Sequence, residues 1–198
     1  MGAGARGDEK EVMVSKLTLL SLLAAAVGLV LAAGAFASGA IAPPAACPGQ
    51  TLLGAPADAQ EDTMRCMTDY ARRQAGLPSL AEAEELDRSA TGKSGDILRC
   101  NSFSHSACGR DFTYWMEESG YLSAQCWRAG ENLAWGTGRE GTVRSIFRAW
   151  MRSPGHRENV LGEFTQLGLS LQVGELEGLR GTRVWTQHFG SHCESAVG

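Results

Sequence analysis

The sequence predicts an α+β domain built on an antiparallel sheet. Two strand-like runs, QLGLSLQVG (166–174) and RVWTQHFG (183–190), stand together near the C-terminus, and a Gly- and Glu-rich connection between them predicts a hairpin. The stretches with helical periodicity come before them. Helices and strands therefore do not alternate as a repeating βαβ fold requires, and there is no internal repeat or low-complexity tract.

The elements follow in order. Residues 38–60 are rich in Pro, Ala and Gly and read as a linker. From Glu61, Met64, Met67 and Ala71 recur at helix spacing until Gly76 stops the run. A second helix fits Ala81 to Leu98, with Leu86, Ala90 and Ile97 inward and Gly92 and Gly95 weakening it. A loop bounded by cysteines, CNSFSHSACG (100–109), leads to a third helix from about Arg110 to Ser119. AGENLAWGTG (129–138) predicts a short extended piece ending in a glycine turn. The fourth helix, Glu140 to Arg152, has the clearest pattern: Val143, Ile146, Phe147, Trp150 and Met151 fall on one face. Ser153-Pro154-Gly155 then breaks the chain, and His156 follows in what reads as a loop.

The first sixteen residues are polar and charged, and no charge appears from Leu17 to Gly39. This is the order of a secretory leader, with Ala35-Phe36-Ala37 as a cleavage signal, so residues 1–37 are expected to be a signal peptide or an uncut N-terminal membrane anchor. Either outcome exports the remainder. The chain carries 18 Lys and Arg against 22 Asp and Glu, a net charge of −4. The leader holds three groups of each sign, so the exported part keeps that charge and lacks the basic footprint of a nucleic-acid binder.

Six cysteines, all beyond the leader and none in a C-x-x-C pair, point to three structural disulfides. Of the fifteen possible pairings we expect Cys47–Cys66, Cys100–Cys108 and Cys126–Cys193. The first ties the N-terminal tail to a helix, and the last ties the C-terminus to the core. Paired cysteines leave no thiol nucleophile. There is also no G-x-S-x-G or H-E-x-x-H motif. ATGKS (90–94) imitates the end of a phosphate loop, but Asp87 occupies the place of its first glycine.

What remains is a set of titratable residues in apolar or Gly-rich turns: His105, Glu131, His156 and Glu163. Imidazoles facing carboxylates either become charged or, when neutral, ligate a divalent ion. Three other features read as structural. Arg144, Arg148 and Arg152 form a stripe opposite the apolar face of the fourth helix, a solvated face or a contact for an anionic polymer. The five tryptophans read as core, and neither His188 nor His192 is expected to act.

The fragments FSH, AGENLAWG, AWMRSPGHRENVL, FTQLGLSL and WTQHFG, in this order, resemble the bacterial branch of the CAP superfamily. That group includes the cysteine-rich secretory proteins, antigen 5 and the plant pathogenesis-related 1 proteins. The resemblance covers about Glu61 to Cys193, giving a CAP domain over residues 61–193. It implies a three-layer α-β-α sandwich and a cleft lined by two His and two Glu, which in some members binds zinc or another divalent cation through the histidines. On the matching positions His105 is the first histidine and Glu131 the first glutamate. The eukaryotic pattern has a Glu after the helix Trp and a His opening GHYTQ. Here Trp150 is followed by His156, and GEFTQ puts Glu163 in the histidine's place, so the two types are exchanged. The expected metal contacts are then His105 and His156.

The expectation is an exported, monomeric CAP-domain protein at or outside the bacterial envelope. It would bind a metal ion, lipid, peptide or glycan and require no cofactor. Two alternatives stand beside it: a metal-assisted peptidase or esterase using Glu131 or Glu163, and a disulfide-stiffened surface module.

Overall fold

The computed structural model describes residues 39–193. The expected leader and its cleavage signal lie outside the described residues. Nine elements follow one another: α1 (Ala57–Gln74), β1 (Ala81–Glu82), α2 (Glu84–Arg99), α3 (Tyr114–Glu118), β2 (Trp127–Gly136), α4 (Val143–Arg152), α5 (Pro154–Val160), β3 (Gln166–Leu176) and β4 (Leu179–His192). The sheet order is β1-β3-β4-β2. β3 and β4 form the expected antiparallel hairpin, turning at Glu177 and Gly178, both at positive φ as a tight hairpin turn demands. β2 pairs antiparallel along β4 from Trp127↔His192 to Gly136↔Arg183. β1 adds two parallel pairs to β3, a strand that two residues cannot announce by periodicity.

Alternation along β4 builds the three layers. Trp185 and Phe189 join Leu167, Leu169 and Leu171 of β3 in the main core, against Met64 and Met67 of α1 and Phe147 and Trp150 of α4. Val184, Thr186 and His188 face the opposite way, onto Ile97, Ser94 and Ser89 of α2. Helices thus cover both faces of the sheet, and the fold is the α-β-α sandwich expected. Gly168 lets α2 lie this close, because a Cβ there would collide with the backbone at Leu86. Gly92, read as a weakness in the helix, is where the Trp115 ring packs on α2.

The fourth expected helix begins at Val143, after Thr142 caps it by accepting from the Ser145 N–H at 3.3 Å. Its five apolar residues are all buried. The Trp150 indole donates to the Leu133 carbonyl at 3.0 Å and that of Trp185 to Gly141 at 3.1 Å, so both buried rings satisfy their polar atom. Trp127 departs from the reading of all five tryptophans as core: it stands on an edge strand and is 42% exposed.

Two segments are more ordered than their composition suggests. Ala42, Cys47 and Gln50, in the stretch read as a linker, are buried. Gln50 donates to the Ala42 carbonyl and accepts from Arg144 at 2.6 Å, and Cys47 is bonded to Cys66 on α1. Residues 39–56 are therefore a strap over α1 and α4, and α1 itself starts at Ala57. The segment after Ser153 is helix, not loop: Pro154 opens α5, where its fixed φ suits the first turn. The expected third helix shrinks to Tyr114–Glu118. The remaining disulfides are Cys100–Cys108 and Cys126–Cys193. Among the described residues, no helix is long and apolar enough to cross a membrane.

Candidate functional site

Register places the centre of the site. Glu131 on β2 pairs with His188 on β4, and both side chains point to the α2 face of the sheet. On α2, Ser89 and Lys93 are four residues apart and lie on one stripe above them. The loop closed by Cys100–Cys108 brings His105 in from the side.

These residues form one network around Glu131. His105 Nδ1 donates to Oε1 at 2.6 Å, and His188 Nε2 donates to Oε2 at 2.8 Å. The Ser89 hydroxyl meets His188 Nδ1 at 2.8 Å. The Lys93 ammonium lies 3.8 Å from Oε1 and donates to the His105 carbonyl, holding the loop that carries this histidine. The Glu131 and Lys93 side chains are each 2% exposed and His188 is fully buried, whereas the His105 side chain is 60% exposed.

The electrostatics follow from this packing. Burial pushes the Glu131 carboxyl up. The hydrogen bonds from His105 and His188 and the charge of Lys93 outweigh it, and Glu131 is held below the ordinary carboxylate range. Burial lowers the Lys93 ammonium against the opposing pull of Glu131, Asp96 and Asp111. With His188 Nε2–H bonded to the carboxylate, its Nδ1 accepts from Ser89. The chain Ser89–His188–Glu131 has the connectivity of a nucleophile relay, but Ser89 is 0% exposed and no substrate reaches it. It is a brace. His105 is the member that meets solvent: Nδ1 faces Glu131 and Nε2 is left for a partner.

His156 and Glu163 part company. His156 is half-buried in the first turn of α5. Its imidazole is lowered by burial and then by the nearby charge of His105. A second chain of amides fixes it there. Asn132 donates to the His156 carbonyl at 3.0 Å and to Gln187 at 3.2 Å, and Asn159 donates to the Glu131 carbonyl and to Asn132. Glu163 is not part of the network. Its neighbour Phe164 turns into the core against Phe189, so Glu163 points outward, 87% exposed, and meets Arg128 at 3.1 Å. His188, which sequence reading set aside, takes the place beside Glu131. Its signal was period two: in RVWTQHFG it shares a face with Val184 and Thr186. Lys93 and Ser89 left a fainter one, four apart on a helix whose buried stripe includes Leu86, Ala90 and Ile97.

Glu131 itself is not free to ligate a divalent ion. Both Glu131 oxygens already accept from imidazole N–H groups, and a buried ammonium supplies the positive charge. Among the described residues no three His, Cys, Asp or Glu side chains converge as a ligand set.

Comparison with known proteins decides the family. Residues 67–189, well over half the chain, match the model of CAP, the cysteine-rich secretory protein family. The chain belongs to the CAP family. A curated relative, the uncharacterized protein YkwD of Bacillus subtilis, is 34% identical over 151 residues, or 75% of this CAP chain, which spans 54% of YkwD's own length. Among solved structures, an extracellular protein containing an SCP domain from Bacillus anthracis is 27% identical. It superposes with a TM-score of 0.54, over 67% of this chain and 40% of that one. An outer surface protein from Borrelia burgdorferi is 16% identical at a TM-score of 0.55, over 67% of this chain and 92% of that one, a likeness of CAP fold alone.

Proposed function

We propose that this is an exported CAP-domain protein that binds an extended peptide or glycan at the solvent face of the His105–Glu131 network. The observation that carries the reading is the asymmetry of the network. Its charge is buried, balanced by Lys93 and hydrogen-bonded by His188, while His105 alone of these side chains is mostly exposed. With Nδ1 of His105 bonded to Glu131, Nε2 is the ring atom left to hydrogen-bond a ligand from the solvent side. Such an atom suits the polar groups of a peptide or sugar. His156, lowered by burial, adds a second imidazole that can hydrogen-bond the same ligand. Phe103, 36% exposed and edge-on to Trp135 at 6.4 Å, adds an aromatic surface two residues from His105. Export is supported by the uncharged segment after the polar N-terminus, by the three disulfides, and by the extracellular relative from B. anthracis.

The hydrolase alternative has less support. Both oxygens of Glu131 are occupied, and Glu163 is an exposed ion-pair partner of Arg128. The test is an NMR titration of the oxidised exported chain with a soluble peptidoglycan fragment carrying both sugar and peptide. The His105 ring resonances are expected to shift, and His105→Ala to lose binding while melting within a few degrees of wild type. Unchanged binding in His105→Ala would refute the reading.

A further inference from the structure

A second face of the molecule is built from arginines that lack carboxylates. Elsewhere Arg65, Arg88, Arg99, Arg110, Arg128 and Arg180 each lie within 4 Å of an acidic side chain. Arg72, Arg73, Arg144 and Arg183 donate instead to neutral oxygens, and among the described residues Arg139, Arg148, Arg152 and Arg157 have neither kind of partner, although acidic groups outnumber basic ones in the chain. Arg148 and Arg152 are one turn apart on α4 and exposed. Arg157 follows on α5, half-buried, and its Nε is enclosed without a hydrogen-bond partner. The stripe expected from sequence is shorter by one: Arg144 is turned away and donates to Gln50 and the Ala42 carbonyl.

Between these residues lies an open depression of about 450 Å³. Arg152 and Arg157 line it beside Met151, Pro154 and Leu161, and Glu158 is its one acidic group. The exposed large apolar side chains, Leu52, Leu53, Phe103, Trp127, Val173 and Leu179, all lie off α4 and α5. Among the described residues this face therefore carries no large, strongly exposed apolar side chain to insert into a bilayer. What it offers is two arginines ~6 Å apart along α4, with Arg157 on α5 beside the recess.

We propose that the α4–α5 face is a binding site for a linear phosphodiester polymer, such as a polyol or glycan phosphate, with one phosphate seated between Arg152 and Arg157. Guanidinium forks match phosphate oxygens two at a time, and a linear polymer engages successive arginines where a single anion engages one. The site is independent of the His105 network.

The experiment measures binding of labelled short-chain polyphosphate by fluorescence anisotropy, using the oxidised exported chain at several salt concentrations. We expect saturable binding whose log K falls with log salt at a slope near −2, about 0.7 per arginine on a flexible strand. Arg152→Gln/Arg157→Gln should weaken it at least tenfold. Arg148→Gln/Arg152→Gln, both at exposed positions, should do nearly as much without disturbing the fold, and Glu158→Gln should tighten binding two- to threefold. Arg180→Gln and His105→Ala should leave it unchanged. Absence of binding, or equal loss in Arg180→Gln, would overturn the proposal. So would vesicles rich in phosphatidylglycerol competing as well as the polymer, since that result assigns the face to a membrane surface.

Discussion

Two places in this molecule bury carboxylates against the sheet, and they treat them in opposite ways. At the centre, Glu131 is surrounded by two imidazoles and an ammonium and is held below its ordinary range. At the open edge of β3, Asp87 accepts from the Leu169 N–H at 2.8 Å and Glu61 from the Leu171 N–H at 2.6 Å. Arg65 lies 3.6 Å from Asp87 and donates to the Leu167 carbonyl. Burial pushes both edge carboxyls up. Their backbone hydrogen bonds and Arg65 offset this only in part, while each carboxylate also feels an acidic neighbour. Neutral amides can satisfy a carboxylate's lone pairs without supplying the charge that burial removes, so a hydrogen-bonded carboxylate is not thereby a stable anion. The edge pair has a structural task. β1 covers only the start of β3, and helix side chains from both layers cap the free N–H groups that would otherwise invite another strand. Of the two, the centre is the one organised around a charged carboxylate, and His105 connects it to solvent.

The comparison can be broken most sharply at Lys93. Lys93→Ala removes the cation from a pair whose side chains are both 2% exposed, and should cost about 3–5 kcal/mol in denaturant unfolding. A loss under 1 kcal/mol would mean that the imidazoles alone neutralise Glu131.

Next is the pH dependence of the same site. With its folded value lowered, Glu131 contributes stability that is complete above the ordinary carboxylate range and lost as pH falls through the lowered value. Glu131→Gln should therefore be less stable than wild type at pH 7, and the gap should close on acidification. A gap independent of pH in urea melts between pH 7 and 3 would contradict the assignment. Glu61→Gln sharpens the contrast, because the sign reverses. A raised folded value means a contribution that is full below the ordinary carboxylate range and lost as pH rises through the raised value. Its difference from wild type should be about 1 kcal/mol or less and should shift in the opposite direction over the same pH series. The smallest expected effect is that of metal. Zn²⁺ titration should leave the melting temperature of wild type unchanged. A stoichiometric rise abolished by His105→Ala would show that a cation is held by the exposed His105 ring.

Legibility was uneven, for reasons visible in particular residues. The α4 pattern could be read because Val143, Ile146, Phe147, Trp150 and Met151 repeat within ten residues, and the β3–β4 hairpin because its two runs are neighbours. His105 and Glu131 came from the CAP resemblance carried by FSH and GEN. His188 was missed because its partners are 57 and 99 residues away, and a histidine alternating in a strand looks the same whether it meets a carboxylate or water. Glu163 was assigned to the site because GEFTQ aligns with a motif. Packing of Phe164 against Phe189 decides which way that short segment turns, and the aromatic ring takes the interior.

The sequence by itself determined the α+β class, the hairpin, the amphipathic α4 and the family, since each is written in local periodicity or in short motifs in order. Tertiary structure alone decided that Lys93 is the buried cation beside Glu131, that His188 meets Glu131 while Glu163 points outward, and that residues 39–56 are a strap. Those facts depend on which residues from distant segments share one desolvated volume, where an unpartnered charge costs several kcal/mol and a partner must be found.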